Sequence, residues 1–189
     1  MKFSKLFFKK LLRYLLKPLS FVPALCMMYI IYSFSAQDGT SSGHLSVTVS
    51  HYLVLAYNKI AGKHYSNEML ELLIIQIHPY VRKMAHVTEY FILAMTIALP
   101  LYVYRIRGIW LILLGMIFCV AFAGLDEYHQ SFVAGRGPSI RDVKIDSAGS
   151  FAGLLVAQII CFIGRKTVFR GLSLEHYRQL KKNYEAENR

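Results

Sequence analysis

The sequence predicts an all-α, polytopic membrane helical bundle of about four transmembrane helices, with short interfacial or re-entrant helices in its first outer loop. Composition is the first reason: 55% of the 189 residues are apolar and the mean hydropathy is +0.38, above the usual range for a soluble globule. The second is the presence of four apolar stretches near 19–35, 87–104, 108–125 and 147–164. Each is close to the roughly 20 residues that cross about 30 Å of hydrocarbon. The third is that Lys and Arg gather at alternate ends of those stretches, the pattern that sets topology.

Taken in order, residues 1–18 form a basic N-terminus carrying Lys2, Lys5, Lys9, Lys10, Arg13 and Lys17. The apolar run behind it is longer than a signal-peptide core, so it reads as a retained anchor despite the small residues Ser33 and Ser35 that follow. Residues 36–86 make a long excursion. AQDGTSSGHLS supplies turn and capping residues, and helical periodicity then returns at Leu45, Val49, Tyr52, Leu53, Ala56, Tyr57 and Ile60, and again in NEMLELLIIQIH. Pro79 predicts a break, with a new helix from about Tyr80 into the second span. The membrane domain covers 19–164, and 165–189 is a basic, amphipathic tail.

Four crossings put both termini on one side, and charge says which. Fifteen of the 22 Lys and Arg fall there, with only Glu175, Glu185 and Glu187 among the acids. The opposite side holds seven basic and eight acidic residues. The +11 net charge thus belongs to one face, which the positive-inside tendency makes cytoplasmic. Basic residues that flank apolar spans suit anionic lipid headgroups, and nucleic acid is not an expected partner. Cys26, Cys119 and Cys161 all lie inside spans with no CxxC pair, so neither a disulfide framework nor thiolate ligation is expected.

Against this apolar background three polar blocks stand out. In RKMAHVTEY, Arg82, His86 and Glu89 share one helical face at a membrane boundary, with Lys83 and Tyr90 on the adjoining face. DEYHQ ends the third span; if the helix continues through it, Asp126 neighbours His129 and Gln130 while Glu127 points elsewhere. In GRGPSIRDVKID, Gly135 and Gly137 allow a tight turn around Arg136, and Pro138 and Ser139 suit a helix start. Asp142 and Asp146 follow one helical turn apart. Asp146 opens an apolar span and needs a partner, for which Arg136 or Arg141 is the candidate. Ionisable residues are costly in or near hydrocarbon, so this density marks a candidate functional site.

Two uses of the set are open. Arg82, Lys83, Arg136 and Arg141 could clamp a phosphate or carboxylate, because a guanidinium fork binds such groups in bidentate fashion. His86, Glu89, Asp126 and His129 could instead ligate a divalent metal, although neither HxxE nor DExHQ is a specific metal signature and no cofactor is required. The bland alternative is a polar network that ties the helices together.

The chain resembles the VanZ-like family of small bacterial membrane proteins. SFSAQDGTSS at 33–42, RKMAHVTEYFIL at 82–93 and DEYHQSFVAGRGPSIRDVKIDSAGSFAG at 126–153 carry the resemblance, which runs in order through nearly all of the chain between its basic ends. The departure is Ala134, where relatives often carry Pro before Gly-Arg. The resemblance implies a protein acting at the cell envelope, since the family's naming member is associated with low-level teicoplanin resistance. It also draws Ser35 and Gln37 in as ligand-contacting candidates beside Gln130, Asp142 and Asp146.

Two functions are therefore expected to compete. One is a site that binds a lipid-linked anionic envelope component, such as a cell-wall precursor, and lowers glycopeptide susceptibility. The other is a membrane enzyme, a hydrolase or transferase on a polyprenyl- or glycerolipid-linked phosphate. There His86 or His129 would be general acid or base, and Glu89, Asp126 or Glu127 an orienting partner. No GxSxG or HExxH motif favours the enzyme, and a transporter is disfavoured by the absence of an internal repeat. Oligomeric state is not legible.

Overall fold

A computed structural model describes residues 17–166 and 174–187, and every regular element among them is helical. Lys2 to Arg13 of the basic N-terminus, with Arg170 and Arg189 of the tail, lie outside the described residues. A 3-10 turn at Pro18–Phe21 leads into α1 (Val22–Ser35), followed by α2 (Gly39–Ile60), α3 (Asn67–Val103), α4 (Ile109–Gln130), α5 (Ile140–Lys166) and α6 (Leu174–Glu187). Four helices are long and apolar enough to span a membrane: Pro18–Ser35, α3, α4 and Ile140–Gly164 within α5. The chain is thus an all-α bundle with four membrane-crossing helices, as its composition predicts.

Prolines open the first span, where a missing N–H costs nothing because the first helical donors have no partner anyway. At the start of α3, Ser66 Oγ accepts a hydrogen bond from the Met69 N–H at 3.4 Å, and Glu68 lies in the first turn.

The expected break at Pro79 does not occur. α3 runs unbroken through both Pro79 and Pro100 for 37 residues. Proline deletes one i→i−4 bond, but α2 packs alongside this half of α3, with Ser46 Oγ 3.4 Å from His78 Nδ1, and that packing holds the helix across the gap. The second span and the segment before it are therefore one rod. α2 and the first half of α3 form an antiparallel hairpin closed by a short turn through Gly62, whose φ is +62°.

The heart of the bundle is the contact between α3 and α5, the most extensive among the described helices. A Cβ on Gly149 would lie 2.5 Å from the Val87 carbonyl oxygen, and one on Gly153 would overlap the Phe91 carbonyl oxygen. On the next interface Gly115 of α4 receives Leu154, whose Cδ2 is 2.6 Å from where a Cβ would sit. Close backbone approach is what lets helices associate where lipid removes the hydrophobic drive between them. Around these glycines Ile31, Leu93, Ala94, Ala98, Leu111, Cys119 and Leu154 are buried. All three cysteines are free.

At the end of the bundle marked by the α3–α4 turn, cations lie over aromatic rings. Lys17 Nζ sits 5.2 Å from the Tyr104 ring and the Arg107 guanidinium 4.7 Å from Tyr102. The opposite end is where α1 and α4 finish, α5 begins and the middle of α3 passes, and it gathers the polar blocks.

Candidate functional site

Two loops meet at the polar end. The Gly39 N–H donates to the Ala134 carbonyl at 3.1 Å, and a Cβ at Gly39 would lie 2.5 Å from the Gly135 carbonyl oxygen. Gly135 adopts φ +73°, a left-handed conformation that glycine takes without strain. The chain turns there so that the next side chain, Arg136, reaches back to the end of α1, its Nη2 donating to the Phe34 carbonyl at 3.1 Å. The SAQDG and GRG segments, nearly a hundred residues apart in sequence, are one structural unit.

Glu127, on the last turns of α4, accepts the Ser139 N–H at 2.7 Å, and Ser139 Oγ accepts the Asp142 N–H at 3.3 Å. The first gives a partner to a donor at the start of α5, and the second adds a side-chain acceptor to the Asp142 N–H, which also bonds the Ser139 carbonyl at 3.0 Å. α4 does run on through DEYHQ, and as its periodicity predicts, Asp126 pairs with Gln130 (Nε2 to Oδ2, 3.1 Å) while Glu127 points away to the helix start. On α3, His86 Nδ1 lies 3.6 Å from Glu89 Oε2, and Lys83 Nζ lies 2.6 Å from Asp142 Oδ1 across to α5.

Behind these pairs is a set of buried polar atoms with no hydrogen-bond partner among the described residues: Ser35 Oγ, Tyr90 OH, His129 Nδ1, Arg136 Nε and Nη1, and Asp146 Oδ1. Asp146 is 2% exposed and Tyr90 fully buried. Electrostatic proximity ties them together. The Tyr90 hydroxyl sits in the field of Asp126, Asp146, Glu89 and Glu127, and His86 in that of Arg82, Asp126, Arg136 and Asp142. In the loop between the spans, burial pushes the Arg136 guanidinium below its usual pKa, helped by the like charge of Arg82 and opposed by Asp126, Glu127 and Glu89. Arg82 thus lies near enough for its charge to act on Arg136.

Among the expected residues, Ser35, Arg82, His86, Glu89, Asp126, Glu127, Gln130, Arg136 and Asp146 gather at this end. His129 packs its ring against Tyr32 of α1, 4.8 Å between centroids. Lys83 and Asp142 form a half-exposed pair at the rim. Gln37 and Arg141 are exposed. The expectation that Arg136 or Arg141 neutralises Asp146 is not met, because no ion pair joins them among the described residues. Arg141 lies on the solvent side of the first turn of α5, and Arg136 is drawn instead to the α1 carbonyl.

Tyr90 is the residue that sequence reasoning left without a role. Its signal was the i, i+4 spacing from His86, which put it near the charged face although an aromatic in the first turn of a span reads as a membrane-belt residue. Among the described residues no three His, Cys, Asp or Glu side chains lie close enough together to hold a metal ion, so the quartet His86, Glu89, Asp126 and His129 is not arranged as a ligand cage. Chemically, the arrangement offers two guanidinium nitrogens, two hydroxyls, one imidazole nitrogen and one carboxylate oxygen to a molecule with both acceptors and donors.

A family model described as VanZ/LLP1 matches residues 20–161, a stretch that takes in all the polar blocks and ends within α5. No curated protein and no solved structure matches the chain.

Proposed function

The chain belongs to the VanZ/LLP1 family, and on that premise we propose that it is a multi-pass protein of the bacterial cytoplasmic membrane whose outward-facing polar site binds a lipid-linked anionic group of the cell envelope, lowering glycopeptide susceptibility of the teicoplanin type. The observation that carries this reading is Arg136. Its guanidinium is anchored by one nitrogen to the end of α1 and keeps two buried nitrogens without partners, beside the equally unpartnered Ser35 hydroxyl. An unsatisfied buried donor costs on the order of 1–3 kcal/mol, more when charged, and a phosphate or carboxylate arriving there relieves that cost. The outward orientation is supported by the basic residues that flank the other end of the bundle, Lys17, Arg105 and Arg107 among them.

The test is binding of a polyprenyl phosphate, against the corresponding polyprenol, to protein reconstituted in nanodiscs. Arg136→Gln is expected to weaken phosphate binding roughly tenfold or more, the worth of a charge-assisted hydrogen bond or two. Equal binding of phosphate and alcohol, or an unaffected Arg136→Gln protein, would overturn the reading.

A second reading draws on the His86–Glu89 pair. An imidazole with a carboxylate 3.6 Å away, a little beyond hydrogen-bond length, is a pair that would act as general base or acid once drawn together, and it sits on the same side as Arg82 and Arg136. In this reading the protein hydrolyses or transfers the lipid-linked phosphate. Product analysis separates the two: phosphate release that disappears in His86→Gln identifies an enzyme, and intact lipid recovered after prolonged incubation identifies a binder.

A further inference from the structure

The hairpin of α2 and the first half of α3 is built inside out for a structure in water. Its buried side chains are Ser46, Ser50 and Val54, two of the three small and polar. Ser46 and Ser50 face the hairpin interior, where Ser50 Oγ donates to the Ser46 carbonyl at 2.7 Å and Ser46 meets His78. Large apolar side chains are exposed on it: Leu45, Tyr52, Leu53 and Tyr57 on α2, and Leu72 and Ile75 on α3. Tyr52 is 69% exposed and Ile75 65%. Charge is confined to the tip, at Lys59, Lys63, Glu68 and Glu71; neither 44–58 nor 72–81 contains a Lys, Arg, Asp or Glu. A solvated helix pair carries its charges on the outer face and its apolar residues within.

We propose that this hairpin seats its outer face in the membrane leaflet at the polar end of the bundle, with lipid as its partner. Continuity favours lipid over another protein. α3 is a single helix, and its exposed apolar surface at Leu72 and Ile75 passes through Tyr80 and Met84 to Ile92 and Leu99 in the membrane-crossing half, which lipid surrounds. Tyr52, Tyr57 and Tyr80 are amphipathic rings suited to headgroup depth, and the charged tip is where such a hairpin meets water.

The test uses tryptophan fluorescence in a Trp110→Phe background, which removes the single native tryptophan. Leu53→Trp and Leu72→Trp proteins are reconstituted in nanodiscs of brominated or ordinary phosphatidylcholine. The expected result is a loss of emission in brominated lipid and little quenching by acrylamide. Quenching by acrylamide means that the face is in water, and protection from both quenchers means that a second copy or another protein covers it; either overturns the proposal. Should either exchange unfold the protein, Tyr57→Trp gives the same readout through an aromatic-for-aromatic change.

Discussion

Along α5, two neighbouring stretches press against the same helix by opposite rules. At Gly149 and Gly153 the backbones of α5 and α3 touch, with the Val87 and Phe91 carbonyls in the space a side chain would take. One turn before Gly149, at Asp146, the same pair of helices buries a carboxylate oxygen and the Tyr90 hydroxyl without giving either a partner. The first stretch is as tight as a helix pair can be. The second leaves bonds unmade at a cost of about 1–3 kcal/mol per group. That difference is the one expected if the second stretch belongs to the binding site proposed above and the first to its scaffold. The glycines fix where the unsatisfied groups stand.

The contrast is broken most severely by filling the tight stretch. Gly153→Leu forces a side chain into the Phe91 backbone and is expected to destabilise by on the order of 3 kcal/mol, seen as a lower melting temperature and loss of monodisperse protein in detergent. Next comes a change with the opposite sign. Asp146→Asn keeps the shape, replaces a buried carboxyl that no ion pair stabilises with a permanently neutral amide, and is expected to raise stability by about 1–2 kcal/mol while abolishing any effect on teicoplanin susceptibility in a heterologous host. Destabilisation there would mean that Asp146 is structural, and the distinction between the two stretches would be lost. Glu127→Gln weakens the cap on α5 and is expected to cost about 1 kcal/mol in thermal unfolding, placing Glu127 with the scaffold. The smallest effect belongs to the rim. Lys83→Met breaks a half-exposed pair worth about 0–1 kcal/mol, and high salt should reproduce its effect on melting of the unmodified protein.

What the sequence made legible follows from which forces act locally. The apolar spans are readable because hydrocarbon thickness sets their length, and the Asp126–Gln130 pairing because helical spacing alone determines it. Pro79 misleads because the helix is held across it by α2, a contact between segments that no local signal carries. Arg136 and Arg141 look equivalent as two cations in one loop. They part because the left-handed turn at Gly135 sends Arg136 inward and the start of α5 leaves Arg141 outside. The spacing of Gly149 and Gly153 is a small-xxx-small pattern that was present to be read, yet its partner carbonyls could not be named without the fold.

Surface connections usually absorb insertions with little harm. The contact of Gly39 with Ala134 and Gly135 withdraws that freedom from two of the connections here, since each backbone fills the space that a change in the other would need. An epitope tag placed in 36–38 or in 134–137 should cost the folded protein, whereas one placed beside Gly62, where a Cβ would meet nothing within 4 Å, should be carried without loss. The two loops at the polar end are therefore constrained as a pair, and length changes acceptable in one depend on matching changes in the other.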